Sequence, residues 1–189
     1  MWRRSVLART VGSIVRIVGP TPVCGAGIRI SFPPGTLAGV AWTVVEVSAA
    51  QTYPLRQELL REDRTDLDLH MRDDDAPGAF HLAVKDDADR IVGVANVIPA
   101  TPEFPAAHPA WRLRQMAVNP DHQGAGIGTA LLEAALTRVR SLGGATMWAE
   151  ARDSSLGFYL AHGMHPVPGR HHRVAGVAYT DVVLPLAES

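Results

Sequence analysis

Seven residues, Gln123-Gly124-Ala125-Gly126-Ile127-Gly128-Thr129, constrain this chain more than any other stretch. They lie between a strand-like segment, Trp111 to Val118, and a long helical pattern, Ile127 to Leu142. A glycine-dense loop that feeds a helix N-terminus leaves several backbone N–H groups unpaired at the positive end of the helix dipole. That combination binds phosphate or pyrophosphate with little help from side chains. The chain is therefore expected to handle a ligand that carries phosphate.

The segments around the loop predict an α/β chain of the α+β kind. Ala41 to Ser48 alternates as a first strand, and Thr52 to Arg64 reads as a helix with Leu55, Leu59 and Leu60 on one face. Asp73 to Gly78 is a loop. Ala79 to Lys85 and Arg90 to Ile98 are β-rich runs joined across Asp86-Asp87-Ala88-Asp89, a hairpin pattern. The proline-rich connection from Pro99 to Pro109 is long enough to be functional. The helix after the glycine loop buries Leu131, Leu132, Ala135, Leu136, Val139 and Leu142 and stops at Gly143-Gly144. Ala145 to Ala151 is a fifth strand, Asp153 caps a short helix through His162, and Tyr179 to Leu184 is a final strand. Strands in hairpins as well as crossovers imply a mixed sheet.

Charge and composition narrow the partners. Residues 1–45 hold Arg3, Arg4, Arg9, Arg16 and Arg29 and no acid, so the remainder of a chain with net charge −1 is acidic. An acidic body does not suit nucleic acid as a partner. Cys24 is the only cysteine, which excludes an intrachain disulfide and a thiolate metal cluster and suits a cytoplasmic setting. Residues 1–40 are rich in proline and glycine, and their apolar stretch is broken by Arg16. They are expected to be a disordered extension outside the functional domain, residues 41–187, with a targeting segment as the alternative. No stretch is long and apolar enough to span a bilayer.

Three families of phosphate loop compete for the glycines. A P-loop requires a lysine followed by serine or threonine, and here Gly128 is followed by Thr129 and Ala130. A dinucleotide fingerprint turns straight off its strand, whereas Asn119 to Gln123 intervene here and Ala130 stands near the place of the third glycine. Gly124-x-Gly126 begins like that fingerprint, and Glu150, at the end of the next strand, stands at a suitable distance to hold a ribose.

The stretch WRLRQMAVNPDHQGAGIGTALL, residues 111–132, resembles the GNAT superfamily of acetyl-CoA-dependent N-acetyltransferases, with Gln123, Gly126 and Gly128 meeting its loop signature. ARDSSLGFYLAHGM, residues 151–164, is similar to the family's Phe-Tyr helix, with Met164 where that helix usually ends in Phe. The resemblance implies a mixed, mostly antiparallel twisted sheet of six to seven strands flanked by helices. It implies acetyl-CoA as cosubstrate and no metal. The pantetheine arm would pair with the backbone of Met116, Ala117 and Val118. The pyrophosphate would lie over the N–H groups of Gln123, Gly124, Ala125, Gly126, Ile127, Gly128 and Thr129, with glycine at 126 and 128 because a Cβ there would meet phosphate oxygen.

By the same resemblance Tyr159 protonates the departing thiolate, with Phe158 beside it, and Asp153 stands where the family often has Asn. Gly157, costly inside a helix, suggests close approach of the coenzyme arm. Glu150 and Glu103 are the candidate general bases. The eight histidines show no metal-ligand spacing; exposed loop positions are expected for the set, with His108 the one catalytic candidate. The acceptor is expected to be a primary amine, its pocket formed by residues 53–75 and 100–110. Asp63, Asp66, Asp68 and Asp73 to Asp75 are read as a solvated acidic face, with attraction of a cationic amine as the alternative. A homodimer is the family-level expectation, and no membrane or nucleic-acid partner is implied. A non-catalytic acyl-CoA sensor of the same fold is the alternative.

Overall fold

The computed structural model describes residues 42–60 and 70–186, and the backbone of 9–10, 13–14, 16–17 and 29–31. The expected N-terminal extension therefore lies largely outside the described residues, as do Asp63, Asp66, Asp68 and the end of the first helix.

Ten elements form the body: β1 (Trp42–Val47), α1 (Ala49–Leu60), β2 (Phe80–Asp86), β3 (Ile91–Pro99), β4 (Ala110–Val118), α2 (Ile127–Ser141), β5 (Thr146–Arg152), α3 (Leu156–Ala161), β6 (His165–Val174) and β7 (Val177–Pro185). The seven strands lie in one sheet in the order β6-β7-β5-β4-β3-β2-β1, and Arg29–Ser31 and Arg16–Ile17 add backbone pairing beyond β1. Every pair is antiparallel except β4 with β5, so the expected mixed, mostly antiparallel sheet is present.

The two faces of the sheet bury different helices. Leu82, Val84, Val92 and Leu113 pack with Ile127, Leu131, Leu132 and Val139 of α2. On the opposite face Ala83 and Val94 pack with Leu55 of α1. Alternation along each strand produces this division, because residues of opposite parity point to opposite faces.

Three elements depart from expectation. The first helix begins at Ala49, before Thr52, because Ser48 and Gln51 form half of a capping box: the Ser48 amide donates to Gln51 Oε1 at 3.0 Å. Strand β6 was not foreseen, since Pro166, Pro168 and Gly169 read as loop. It is the edge strand, where proline costs no ladder bond, and its register with β7 shifts between Pro166 and His171. Asp153 is no side-chain cap: it opens a short 3₁₀ turn, Asp153–Ser155, and its Oδ1 accepts a hydrogen bond from Thr180 Oγ1 at 3.1 Å.

Candidate active site

The site begins where the sheet opens. Parallel pairing of β4 with β5 stops after Arg112↔Trp148. Gln115 has a positive φ of 51°, and the β3–β4 register shifts between Val94 and Asn96, the marks of a β-bulge. A bulged strand bends, so β4 leaves β5 while keeping its pairing to β3 at Ala117 and Val118. Met116, Ala117 and Val118 thus keep one edge on β3 and line a cleft of about 1180 Å³.

The glycine loop borders the same cleft. Asn119 accepts from the Asp121 amide at 3.0 Å and starts a 3₁₀ turn, Pro120–His122, and the Gln123 side chain ties back to the Val118 carbonyl at 3.2 Å. Gly124 and Gly126 have φ of 77° and 79°, left-handed conformations that glycine adopts without Cβ strain. Gly126 is the N-cap of α2 and offers no side-chain cap, so the first-turn N–H groups have no intrahelical acceptor. Gln123, Gly124, Gly126, Ile127, Gly128 and Thr129 line the cleft; Ala125 packs against the core instead. Gly128 has a reason to be glycine within the protein itself. A Cβ there would lie 3.3 Å from the Phe158 ring, so this glycine admits an aromatic side chain of the protein itself.

Helix α3 brings Phe158 and Tyr159 to the cleft, their ring centroids 5.3 Å apart in an edge-on arrangement. Tyr159 is 8 % exposed, and burial pushes its phenol up to about 12, so it holds its proton at neutral pH. His162 fixes α3 to α2 through Thr129 Oγ1 at 2.9 Å and the Phe158 carbonyl at 2.7 Å. Gly157 does not line the cleft, and no protein atom lies within 4 Å of where its Cβ would stand.

Glu150 lines the cleft from β5 and is ion-paired with Arg112 of β4, whose guanidinium also stacks on Trp148 at 4.9 Å. Its cross-strand neighbour is the buried Asp181, which Arg170 holds at 2.8 Å. His172 completes this corner: it stacks on Tyr179, and its ring, Glu150 and Asp181 bring one ligand-capable atom each within 4.8 Å of the others. Glu103, the other candidate base, bonds Arg170 and does not line the cleft; nor does His108.

Beneath α1 lies a polar network that sequence reasoning missed. Asp74 is fully buried and takes hydrogen bonds from Arg56 Nη1 (3.1 Å), the Met71 amide (3.0 Å), Asn96 Nδ2 (2.9 Å) and Arg114 Nη2 (3.2 Å). Burial alone would raise its carboxyl, but the Met71 amide and the Arg56 charge outweigh burial and hold it below the ordinary value. Asn96 Nδ2 also donates to His81 Nδ1 at 3.0 Å, which leaves His81 Nε2–H to donate to the Asp74 carbonyl at 3.0 Å. Asp74 is thus no part of a solvated face, and His81, 4 % exposed, is no loop histidine. Arg114, Asn96 and His81 come from three strands, so no local spacing announced the network.

The sequence profile of the Acetyltransferase (GNAT) family matches residues 45–164. The Bacillus subtilis (strain 168) protein named Uncharacterized N-acetyltransferase YitI is 28% identical over 120 residues, 64% of this chain and 80% of that protein. A GNAT-family acetyltransferase of Staphylococcus aureus Mu50 has a similar fold, with a TM-score of 0.62 at 14% identity over 78% of this chain and 100% of that one. An aminoglycoside 6'-N-acetyltransferase complexed with coenzyme A gives a TM-score of 0.61 at 16% identity, covering 77% of this chain and 98% of that one.

Proposed function

Because the chain belongs to the acetyltransferase (GNAT) family, an acetyl-CoA-dependent class of enzymes, we propose that it transfers acetyl from acetyl-CoA to a primary amine by direct attack. The observation that carries this reading is the junction of an uncapped helix N-terminus, an opened edge of β4 and a buried phenol around one cleft. The diphosphate lies over the N–H groups of residues 123–129, where charge and hydrogen bonding both favour it. The pantetheine arm runs along Met116, Ala117 and Val118 in the gap left by β5.

In the reaction the amine nitrogen attacks the thioester carbon, and the carbonyl oxygen gains the charge, stabilised by a backbone N–H of residues 116–118. Collapse breaks the C–S bond and releases the thiolate. Tyr159 gives the thiolate its proton, a task for which a phenol kept neutral by burial is suited. The proton lost by nitrogen passes to Glu150, the cleft-lining carboxylate that is 34% exposed and so open to exchange with solvent. Asp153 and Phe158 support the coenzyme side: Asp153 anchors the turn before α3, and Phe158 packs over Gly128.

Two measurements test this. Calorimetric titration with coenzyme A gives one-site binding, and thiol release from acetyl-CoA appears with amines. Replacing Tyr159 by Phe lowers turnover about a hundredfold with unchanged coenzyme affinity. Thermal stabilisation by coenzyme A without thiol release for any amine would instead identify a binding module, and an undiminished rate in the Tyr159→Phe protein would remove its acid role. Because the phenol titrates only near 12, any alkaline loss of turnover below about 10, the ordinary tyrosine value, arises elsewhere.

A further inference from the structure

The sheet's two faces also point to the kind of amine, an inference that rests on the transferase reading above. Tyr159 and the first residue of α2, Ile127, belong to the core on the α2 face. Arg114 reaches Asp74 and so lies on the α1 face; Arg112, two residues earlier, shares it, and Glu150 meets Arg112 there. The transferase reading leaves this α1 face, at the mouth of the gap that the pantetheine arm enters, to the acceptor.

The cleft on this side is bounded by Leu59, Leu60 and Met71 and, from the terminal hairpin, by Val174, Val177 and Tyr179. Val174 and Val177 are directly paired and are 56% and 39% exposed, two of the few large apolar side chains that the described surface leaves open. Between them Ala175 and Gly176 have φ of 48° and 84°, the handedness of a tight two-residue hairpin turn, so the valines are held in place. Two pairs further along, on the same face, Tyr179 and His172 stack at 5.6 Å and 13° and continue the strip.

Charges of both signs meet at this corner. Arg112 meets Glu150, Arg170 meets Asp181, and Arg152 adds a positive charge to the cleft wall. Among the described residues of this corner, carboxylates are not in surplus over arginines, which does not favour a polycation.

We propose that the acceptor is a small arylalkylamine, a primary amine on an apolar ring-bearing body. Its ring rests on Val174, Val177 and Tyr179 while its nitrogen passes Glu150 toward the thioester.

Thiol release from acetyl-CoA is compared for phenylethylamine, ethanolamine, kanamycin and a peptide with a free N-terminal alanine. The expected result is a kcat/KM for phenylethylamine at least about tenfold above each of the others. Val174→Asp and Val177→Asp each lower that value about tenfold through KM, with coenzyme affinity unchanged, and Val177→Ile retains it. Preference for kanamycin, ethanolamine or the peptide overturns the proposal, as does indifference to both aspartates. Saturation-transfer NMR of phenylethylamine with the coenzyme A complex is read independently of turnover. Contact with the wild type that is lost in Val174→Asp supports the proposal, and no contact overturns it. Absence of thiol release with every amine, despite that contact, counts against the transferase reading alone.

Discussion

Arg112 and Arg114 stand two residues apart on one face of β4, and each meets a carboxylate distant in the chain, Glu150 at 38 residues and Asp74 at 40. The pairs are built to different ends. Asp74 has no exposed side-chain surface and both its oxygens are occupied by donors from α1, β3, β4 and its own loop. Glu150 is 34% exposed, faces the cleft and is answered by a guanidinium that is itself 27% exposed. A charge sealed among donors stabilises one arrangement of α1 and the loop after it. A charge left at the mouth of a cleft stays within reach of solvent and of whatever enters.

That contrast can be broken most decisively at Asp74. Asp74→Ala removes the buried carboxylate that Arg56, 3% exposed, and Arg114 both meet, and is expected to destabilise the fold by about 3–5 kcal/mol. Chemical denaturation measures this, and a loss below about 1 kcal/mol would put Asp74 in the same class as an exposed pair. Glu150→Gln is the opposite case. Its stability is expected to stay within about 1 kcal/mol of the parent, while turnover falls about a hundredfold if the carboxylate takes the amine's proton. A stable, fully active Glu150→Gln protein would reassign the proton to water.

Acid titration sharpens the comparison. Asp74 has a lowered carboxyl in the fold, so its contribution is complete above the unfolded value of about 3.9 and is lost as pH falls through the lower folded value. Denaturation midpoints of the parent should therefore fall in that acid window, and Asp74→Asn should remove that part of the fall. The smallest expected effect is at the hairpin tip. Ala175 holds a positive φ of 48°, and Ala175→Gly should stabilise by less than about 1 kcal/mol, relief of Cβ strain being partly offset by chain entropy. A melting-temperature series resolves it, and a loss of stability would mean that the alanine methyl contributes packing.

Most strands and the glycine loop were legible because their signals are local. Alternation marks β1 to β5, and Gly124 to Gly128 sit at the junction of a strand and a helix whose periods differ. Edge strand β6 escaped because its prolines and Gly169 mimic a loop, and only its place at the margin of the sheet makes them compatible with pairing. The cleft wall on the α1 face escaped for a related reason. Arg112, Glu150, Val174 and Tyr179 share a face through strand parity and register, and neither can be read before the pairing is known.

By itself the sequence determined the glycine-rich helix start, the phenol near it and the family to which the chain is similar, since each depends on neighbours within a few residues. Tertiary structure alone decided that β4 parts from β5, that Asp74 is sealed while Glu150 stays open, and that Gly128 makes room for Phe158. These outcomes depend on burial and on contacts between segments far apart in the chain, and burial is a property that a residue acquires only when the chain has closed around it.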